Sequence, residues 1–204
     1  MSSKAYDVLA LTADRLIENR DYLTDLDREI GDADHGINMA RGFGLVKEQL
    51  PKDEADIGVL LKKTAMILIS KVGGASGPLY GTAFMRAGAV MSGKSALDPE
   101  TLKEMLQAAV KGIQDRGKAV QGEKTMLDAL IPAQQALDKG IEENKTLAEC
   151  LADMAKAAAE GAEWTKTVKA TKGRASYLGD RSIGHMDPGA ASSTIMLEAL
   201  KDSF

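Results

Sequence analysis

Residues 98–115, which read DPETLKEMLQAAVKGIQD, carry the pattern that decides the fold class of this chain. Asp98 followed by Pro99 is typical of a helix start, because aspartate caps free backbone N–H groups and proline suits the first helical position. Apolar residues then recur every three or four positions, at Leu102, Met105, Ala109 and Ile113. Residues with that spacing share one side of a helix, so the stretch predicts an amphipathic helix with one buried face.

The same signals recur along most of the chain. Residues 146–149 have the pattern of a capping box, and Asp187-Pro188 repeats the combination of cap and proline. We predict eight helices, at about residues 4–20, 36–49, 56–70, 78–92, 99–115, 124–140, 147–168 and 188–202. No segment alternates apolar and polar residues over the length of a strand. The expected fold is therefore all-α, an antiparallel up-and-down barrel or bundle of eight helices.

The composition is that of a globular protein, with 44% hydrophobic and 27% charged residues among 204. A chain of this length is expected to form a single domain over residues 1–204. The net charge of −4 comes without a basic run, which argues against a nucleic-acid partner. The sequence has neither a signal-peptide pattern nor an apolar stretch of the ~18 residues that a membrane span needs. We therefore expect a cytoplasmic protein with no membrane partner.

Four connections between the predicted helices are long or rich in glycine and aspartate, namely residues 25–36, 71–81, 116–124 and 169–190. Long loops in a compact domain are more often functional than idle. They follow the first, third, fifth and seventh helices. Because alternate loops of an up-and-down arrangement emerge at the same end, we predict that all four meet at one end and form a site there.

The first of these connections is acidic. Asp32 and Asp34 are two residues apart, so in an extended segment both carboxylates point the same way, and Asp27 can join them across Gly31. Three carboxylates in one place repel one another unless a cation lies between them. Oxygen ligands of this kind favour Mg²⁺ or Ca²⁺ over zinc.

The acidic connection has two other possible interpretations, an EF-hand and a simple helix cap. An EF-hand starting at Asp32 is excluded, because its sixth position would be Ile37 instead of glycine and its twelfth would be Phe43 instead of glutamate. Alternatively, Asp32 or Asp34 could simply cap the helix that follows. That explanation suits a single aspartate better than the whole group of three.

The second and fourth connections carry features that bind anions. Residues 72–82 read VGGASGPLYGT, whose small residues let backbone N–H groups approach a phosphate and whose Pro78 suits a helix start. In residues 169–190, Arg174 or Arg181 could hold phosphate oxygens, although either could equally be a solvated surface arginine. His185 is better explained as a surface or structural histidine than as a catalytic one.

Together these loops predict a site for phosphoryl transfer. The phosphates of a nucleotide and three aspartates can share one site only when a divalent metal ion lies between them. The sequence contains no competing arrangement, such as a Ser-His-Asp set or a zinc-ligand spacing. The expected ligand is therefore a nucleotide whose phosphates are bound through a divalent metal ion such as Mg²⁺.

Residues 26–36, 72–82, 116–130 and 173–190 closely resemble the nucleotide-binding L subunits of bacterial dihydroxyacetone kinases, and the resemblance extends over nearly the whole chain. It implies an eight-helix barrel that binds ADP and two Mg²⁺ ions at one end. By motif match, the metal ligands would be Asp27, Asp32 and Asp34. The residues lining the phosphates would be His35, Gly36, Ile37, Asn38, Ala75 and Ser76. The remaining nucleotide contacts would be Gly117, Met126, Arg174, Asp187, Pro188 and Gly189, and Arg174 would also stabilise the migrating phosphoryl group.

The resemblance also implies a mode of action. A free-standing chain is similar to the phosphotransferase-system type, in which ADP stays bound and is rephosphorylated by a phosphohistidine of a separate M subunit. The phosphoryl group then passes to dihydroxyacetone on a K subunit. Two alternatives remain at this point: an ATP-exchanging kinase lobe of the fatty-acid-kinase type, and a non-enzymatic regulatory module that senses nucleotide.

Overall fold

The computed structural model describes residues 2–204 and is helical over most of its length. The α-helices are α1 (Lys4–Glu18), α2 (Arg20–Ile30), α3 (His35–Gln49), α4 (Ile57–Lys71), α5 (Ser76–Val90), α6 (Pro99–Gly117), α7 (Leu127–Glu142), α8 (Leu147–Trp164) and α9 (Pro188–Asp202). Two 3-10 segments, Thr165–Thr167 and Arg174–Ser182, lie between α8 and α9. No strand occurs within residues 2–204, so the all-α prediction is confirmed.

The helix starts predicted from capping residues are present as hydrogen bonds. The Asp98 side chain accepts from the Thr101 N–H at 2.8 Å, and the Asp98 N–H donates to Thr101 Oγ1 at 3.0 Å. The two bonds form a capping box at the start of α6. Thr146 and Glu149 form the corresponding box on α8. Each box satisfies backbone groups that the first helical turn leaves without partners.

One helix was not predicted. Residues 25–30, assigned to a loop from their aspartates, belong to α2, and only residues 31–34 connect it to α3. α1 ends at Asn19, whose backbone and side-chain amides both donate to the Arg15 carbonyl, and the chain turns directly into α2. The buried face of α2 is formed by Leu23, Thr24, Asp27 and Ile30. A carboxylate in that face obscured the helical spacing of apolar residues on which the prediction relied.

Eight of these helices form a closed ring. Each of α1, α3, α4, α5, α6, α7 and α8 packs against the next member, and α9 packs against both α8 and α1. The shorter α2 lies outside this sequence of contacts, against α3 and α9. The core inside the ring includes Phe43, Leu60 and Leu127, all fully buried. This ring is the antiparallel eight-helix arrangement that the sequence predicted, with α2 added at one end.

A close helix contact within the ring brings α7 and α8 together near Asp128. A Cβ atom at Gly161 of α8 would clash with the backbone carbonyl oxygen of Asp128 on α7. Only glycine permits this approach, and it fixes the distance between the two helices. Among residues 2–204, no helix combines the length and apolar character needed to cross a bilayer.

Candidate functional site

A cavity of about 420 Å³ lies at the end of the ring where the four predicted loops meet. It is lined from one side by residues of the α2–α3 link and from another by the glycine-rich turn before α5. The α6–α7 turn and the long connection between α8 and α9 supply the remaining walls. The expectation that these connections meet at one end of the bundle agrees with the structure.

An acidic cluster forms one wall of this cavity. Asp27 belongs to α2, whereas Asp32 and Asp34 lie in the link that follows, and a carboxylate oxygen from each lies within 4.8 Å of the other two. Asp27 Oδ2 accepts hydrogen bonds from the backbone N–H groups of Asp34 (2.9 Å) and His35 (3.1 Å). These two bonds fold the link back over the end of α2, so the chain itself assembles the cluster.

The charges of the cluster are crowded. Burial, followed by the neighbouring Asp32 and Asp27 carboxylates, raises the pKa of Asp34 above its usual value. The guanidinium of Arg174 lies 3.0 Å from Asp32 and offsets part of this repulsion. A set of carboxylate oxygens with no sulfur or nitrogen donor among them fits a hard cation such as Mg²⁺. The donor chemistry of the cluster therefore fits the metal that the sequence implied.

The glycine-rich turn places a helix N-terminus opposite the cluster. Gly74 has a φ of +65°, a left-handed conformation that glycine adopts without strain, and α5 begins two residues later at Ser76. Ala75 occupies the N-cap position and makes no side-chain capping bond, so the first N–H groups of α5 remain available to an anion. The start of α5 therefore has free N–H groups at the residues Ala75 and Ser76, for which a phosphate-binding role is expected.

His35 joins the acidic wall to the glycine-rich wall. Its Nδ1 lies 3.0 Å from Ser76 Oγ, and its Nε2 lies 2.9 Å from Ser192 Oγ on α9. Burial lowers the pKa of His35 to about 4, so the imidazole is neutral at pH 7. One ring nitrogen therefore donates to one serine oxygen and the other accepts from the second serine hydroxyl, so His35 holds both serine side chains in place. The position of Ser76 at the cavity thus depends on His35.

The long connection and the start of α9 cover the cavity. Arg174 opens the second 3-10 segment and lines the cavity with an exposed side chain, whereas Arg181 does not line it. Asp187 caps α9 by accepting from the Ala190 N–H at 2.7 Å. Burial raises the pKa of Asp187 to about 7, with Asp128 adding to the effect and Lys124 opposing it. Of the two arginines left open by the sequence, the structure brings only Arg174 to the site.

The structure places most of the predicted nucleotide-binding residues on the cavity wall, but not all of them. The residues that line it are His35, Ala75, Ser76, Gly117, Met126, Arg174, Asp187, Pro188 and Gly189. Gly36, Ile37 and Asn38 follow on the first turn of α3 and do not line it. Gly117, expected in a loop, is the last residue of α6, and Met126 is the N-cap of α7.

Several cavity residues were not found from the sequence. Pro78, Leu79 and Ile113 give the cavity an apolar side, and Lys124 lies in the turn between α6 and α7. Pro78 was expected at a helix start in the anion-binding turn, whereas Leu79 and Ile113 are apolar helix residues that no local signal distinguishes from ordinary core residues. Lysine is almost never fully buried, and a sequence pattern therefore places it on the surface by default.

Comparisons with known proteins agree with this description. A family model described as the DAK2 domain matches residues 29–202. The chain is 49% identical to the PEP-dependent dihydroxyacetone kinase, ADP-binding subunit DhaL, of Escherichia coli K12, over 88% of this chain and 86% of that protein. It is 44% identical to the PTS-dependent dihydroxyacetone kinase, ADP-binding subunit DhaL, of Lactococcus lactis, over 92% of this chain and 90% of that protein.

A solved structure shares the fold. The dihydroxyacetone kinase of C. freundii, in complex with AMP-PNP and Mg²⁺, matches with a TM-score of 0.75 at 25% identity. The match covers 98% of this chain and 34% of that enzyme, so the present chain spans about a third of its length. Because the DAK2 model matches most of the chain and the relatives align over nearly their full length, the chain belongs to the DAK2 domain family.

Proposed function

We propose that this chain, as one domain over residues 1–204, is the ADP-binding subunit of a phosphoenolpyruvate-dependent dihydroxyacetone kinase. One observation carries the proposal: the acidic cluster, the open N-terminus of α5 and Arg174 all face the same cavity. The names of the E. coli and L. lactis relatives describe such a subunit. The C. freundii structure with AMP-PNP and Mg²⁺ supports a nucleotide and magnesium as ligands of this fold.

In this proposal the acidic cluster holds the metal. Asp27, Asp32 and Asp34 would hold two Mg²⁺ ions through their carboxylate oxygens. Bound Mg²⁺ neutralises phosphate charge and orients the phosphates for in-line transfer. The backbone bonds to Asp27 keep the cluster assembled, so little reorganisation is needed when ligand enters.

The other walls hold the nucleotide. The N–H groups at Ala75 and Ser76 bind phosphate oxygens, helped by the positive end of the α5 dipole. Gly117 and Met126 contact the nucleoside together with the apolar side of the cavity. Asp187, Pro188 and Gly189 close over it. Arg174, whose side chain extends from the rim, stabilises the charge of the phosphoryl group during transfer.

The nucleotide acts as a cofactor in this scheme. The chain holds ADP while the phosphohistidine of an M subunit transfers its phosphoryl group to the terminal ADP phosphate oxygen, which leaves neutral histidine. The same phosphoryl group would then pass to a hydroxyl oxygen of dihydroxyacetone bound on a K subunit, whose proton is released, and ADP would remain in place. Because the cavity opens at one end of the ring, both partners must approach from that side, in the cytoplasm.

The proposal predicts activity without added ATP. Freshly purified protein should carry near-stoichiometric ADP that survives gel filtration and appears in mass spectra after denaturation. With phosphoenolpyruvate, the general phosphotransferase proteins and the M and K partners, it should phosphorylate dihydroxyacetone, and omission of the M partner should stop the reaction. Turnover only with millimolar ATP would instead indicate an exchanging kinase. Bound ADP without activity in either assay would favour a regulatory module.

Removal of metal and nucleotide should lower the melting temperature strongly. The link at residues 31–34 and the connection at 165–187 bury few apolar side chains, so ligand that binds only the folded state should stabilise them. Ligand at about 1,000 times its Kd contributes about 4 kcal/mol, which corresponds to about 10 °C for a chain of this size. Calorimetry before and after EDTA treatment and dialysis measures the change, and re-addition of ADP with Mg²⁺ should reverse it. Equal melting temperatures would contradict the prediction.

A further inference from the structure

Lys124 is a fully buried lysine beside the cavity, in the turn between α6 and α7. Its relative exposure is 1%, and its backbone has a φ of +62°, which is unfavourable for a residue with a side chain. Its Nζ donates to three backbone carbonyls: Thr165 O at 2.5 Å, Val168 O at 3.4 Å and His185 O. An ammonium group has three protons, so its capacity to donate is used entirely on these carbonyls.

The environment of this ammonium group is unusual for a buried charge. No carboxylate of residues 2–204 lies within ion-pair distance of it, although Asp187 and Asp128 are near enough to favour its charged form. Burial lowers the pKa of Lys124, because removal from water disfavours the charged form of the amine. A buried charge persists only when other polar groups compensate it, and here backbone carbonyls do so.

The three carbonyls belong to the two ends of the connection between α8 and α9. Thr165 and Val168 lie where this segment leaves α8, and His185 lies where it returns to α9. The ends are also joined directly, because Gly184 N donates to Lys166 O at 2.7 Å and Asp187 N donates to Thr165 Oγ1 at 3.0 Å. Residues 165–187 therefore form a loop with a closed base, and the Lys124 ammonium lies at that base.

Lys124 is itself held rigidly. Asp128, with 1% exposure, accepts from Gly122 N at 2.5 Å and from Thr125 N at 2.8 Å, which fixes the turn on both sides of Lys124. The backbone of Glu123 also accepts from Thr171 N at 3.3 Å. Lys124 thus connects the α6–α7 turn, which continues to Met126 at the cavity, with the loop that carries Arg174.

We propose that Lys124 is a positioning residue that fastens the base of the 165–187 loop to the α6–α7 turn and thereby sets how long nucleotide stays in the cavity. The inference rests on the proposed function, since the loop covers the nucleotide only if the cavity binds one. Lys124 acts through the loop and not on the phosphates, because its ammonium protons are already committed to protein carbonyls. A cofactor that remains bound through many turnovers needs such slow release.

The test compares Lys124→Met with the parent and with Lys145→Met. Methionine is unbranched and keeps most of the length of the lysine side chain, but it leaves the three carbonyls without their donor. Lys145 lies in the α7–α8 connection and pairs with Glu143 and Asp153, so its replacement also removes a lysine that joins two segments, but one that does not line the cavity. Stopped-flow release of a fluorescent ADP analogue with Mg²⁺ gives the dissociation rate, and hydrogen exchange followed by mass spectrometry gives local opening.

In Lys124→Met, release should accelerate by about tenfold or more, because changes within one binding site act mainly on the dissociation rate. Exchange should accelerate in residues 165–187 and remain unchanged in α4 to α6. Lys145→Met should release the analogue at the parent rate, whatever its melting temperature. Lys124→Gln, which is less disruptive, replaces Lys124→Met if that variant does not fold.

Three results would overturn the inference: parent-like release in a folded Lys124 variant, faster exchange spread over the whole chain, or failure of both Lys124 variants to fold. The last two would assign Lys124 to the stability of the entire ring. The proposed function fails separately, when the parent protein does not bind the ADP analogue. In that case exchange of residues 165–187 in the ligand-free variants still tests whether Lys124 fastens the loop.

Discussion

Exchange of Asp34 for asparagine should abolish tight binding of Mg²⁺ and ADP together, while the ligand-free protein remains as stable as the parent or becomes more stable. The Asp34 carboxylate is crowded by Asp32 and Asp27, so a neutral side chain of equal size relieves repulsion in the free protein. The same change removes an anionic oxygen ligand from the metal. Replacing residues that merely orient a metal ligand costs about 10- to 100-fold in affinity, so loss of a ligand should cost about 100-fold or more.

Weaker binding of Mg²⁺ and ADP, together with unchanged or higher stability of the ligand-free protein, distinguishes this result from simple unfolding. Titration calorimetry with ADP and Mg²⁺ measures the affinity, and melting curves with and without ligand measure both stabilities. Asp32→Asn should behave similarly, since the exposed pair with Arg174 that it also loses contributes little. The matched control is Asp25→Asn, an exposed aspartate of α2 that pairs with Arg28 outside the cluster. An ADP affinity within about threefold of the parent in Asp34→Asn would refute the metal assignment.

Replacement of Arg174 by alanine should lower turnover by about 10²-fold or more, while ADP affinity falls much less. The guanidinium lies at the rim, where Asp32 holds it 3.0 Å away, beside the place where the transferred phosphoryl group would lie. A donor aimed at charge that develops during transfer acts mainly in the transition state, so its loss affects turnover more than binding. Steady-state assays with the partner subunits and calorimetry with ADP give the two quantities.

Arg181→Ala provides the control for this experiment. Arg181 belongs to the same 3-10 segment as Arg174 but does not line the cavity, so its replacement changes the charge of the loop without removing a group from the site. Its turnover should remain close to that of the parent. Equal losses of turnover and ADP affinity in Arg174→Ala would make Arg174 an ordinary binding residue, and the catalytic role would then be wrong.

The helices were predictable because their signals lie close together in the chain. Asp98 and Thr101 make their capping bonds within four residues, and the buried face of α6 repeats within each turn. The same reasoning failed at α2, where Asp27 occupies a buried position. A buried carboxylate is stable there only because the link that follows bends back and donates two N–H groups to it. That bend depends on tertiary contacts, and no local pattern in residues 20–30 predicts it.

Some features of the candidate site were likewise predictable from the sequence, and others were not. The spacing of Asp32 and Asp34 and the small residues of 72–82 predicted a metal and phosphate site, since each feature lies within one short segment. The contacts of His35 with Ser76 and Ser192 join residues 41 and 157 positions apart in sequence. Burial in the packed structure lowers the pKa of His35 and keeps it neutral, so its contacts with both serines could not be inferred from the loop that contains it.

The sequence by itself determined the all-α class, the helix starts and the loops that carry the chemistry, because capping and helical periodicity act between residues less than one or two turns apart. Only the tertiary structure decided that α2 packs outside the ring with a buried carboxylate, that Arg174 and not Arg181 reaches the cavity, and that Lys124 is buried at the base of the covering loop. The physical reason is that the burial of a polar side chain depends on which distant backbone groups compensate it. That compensation exists only after the chain has packed.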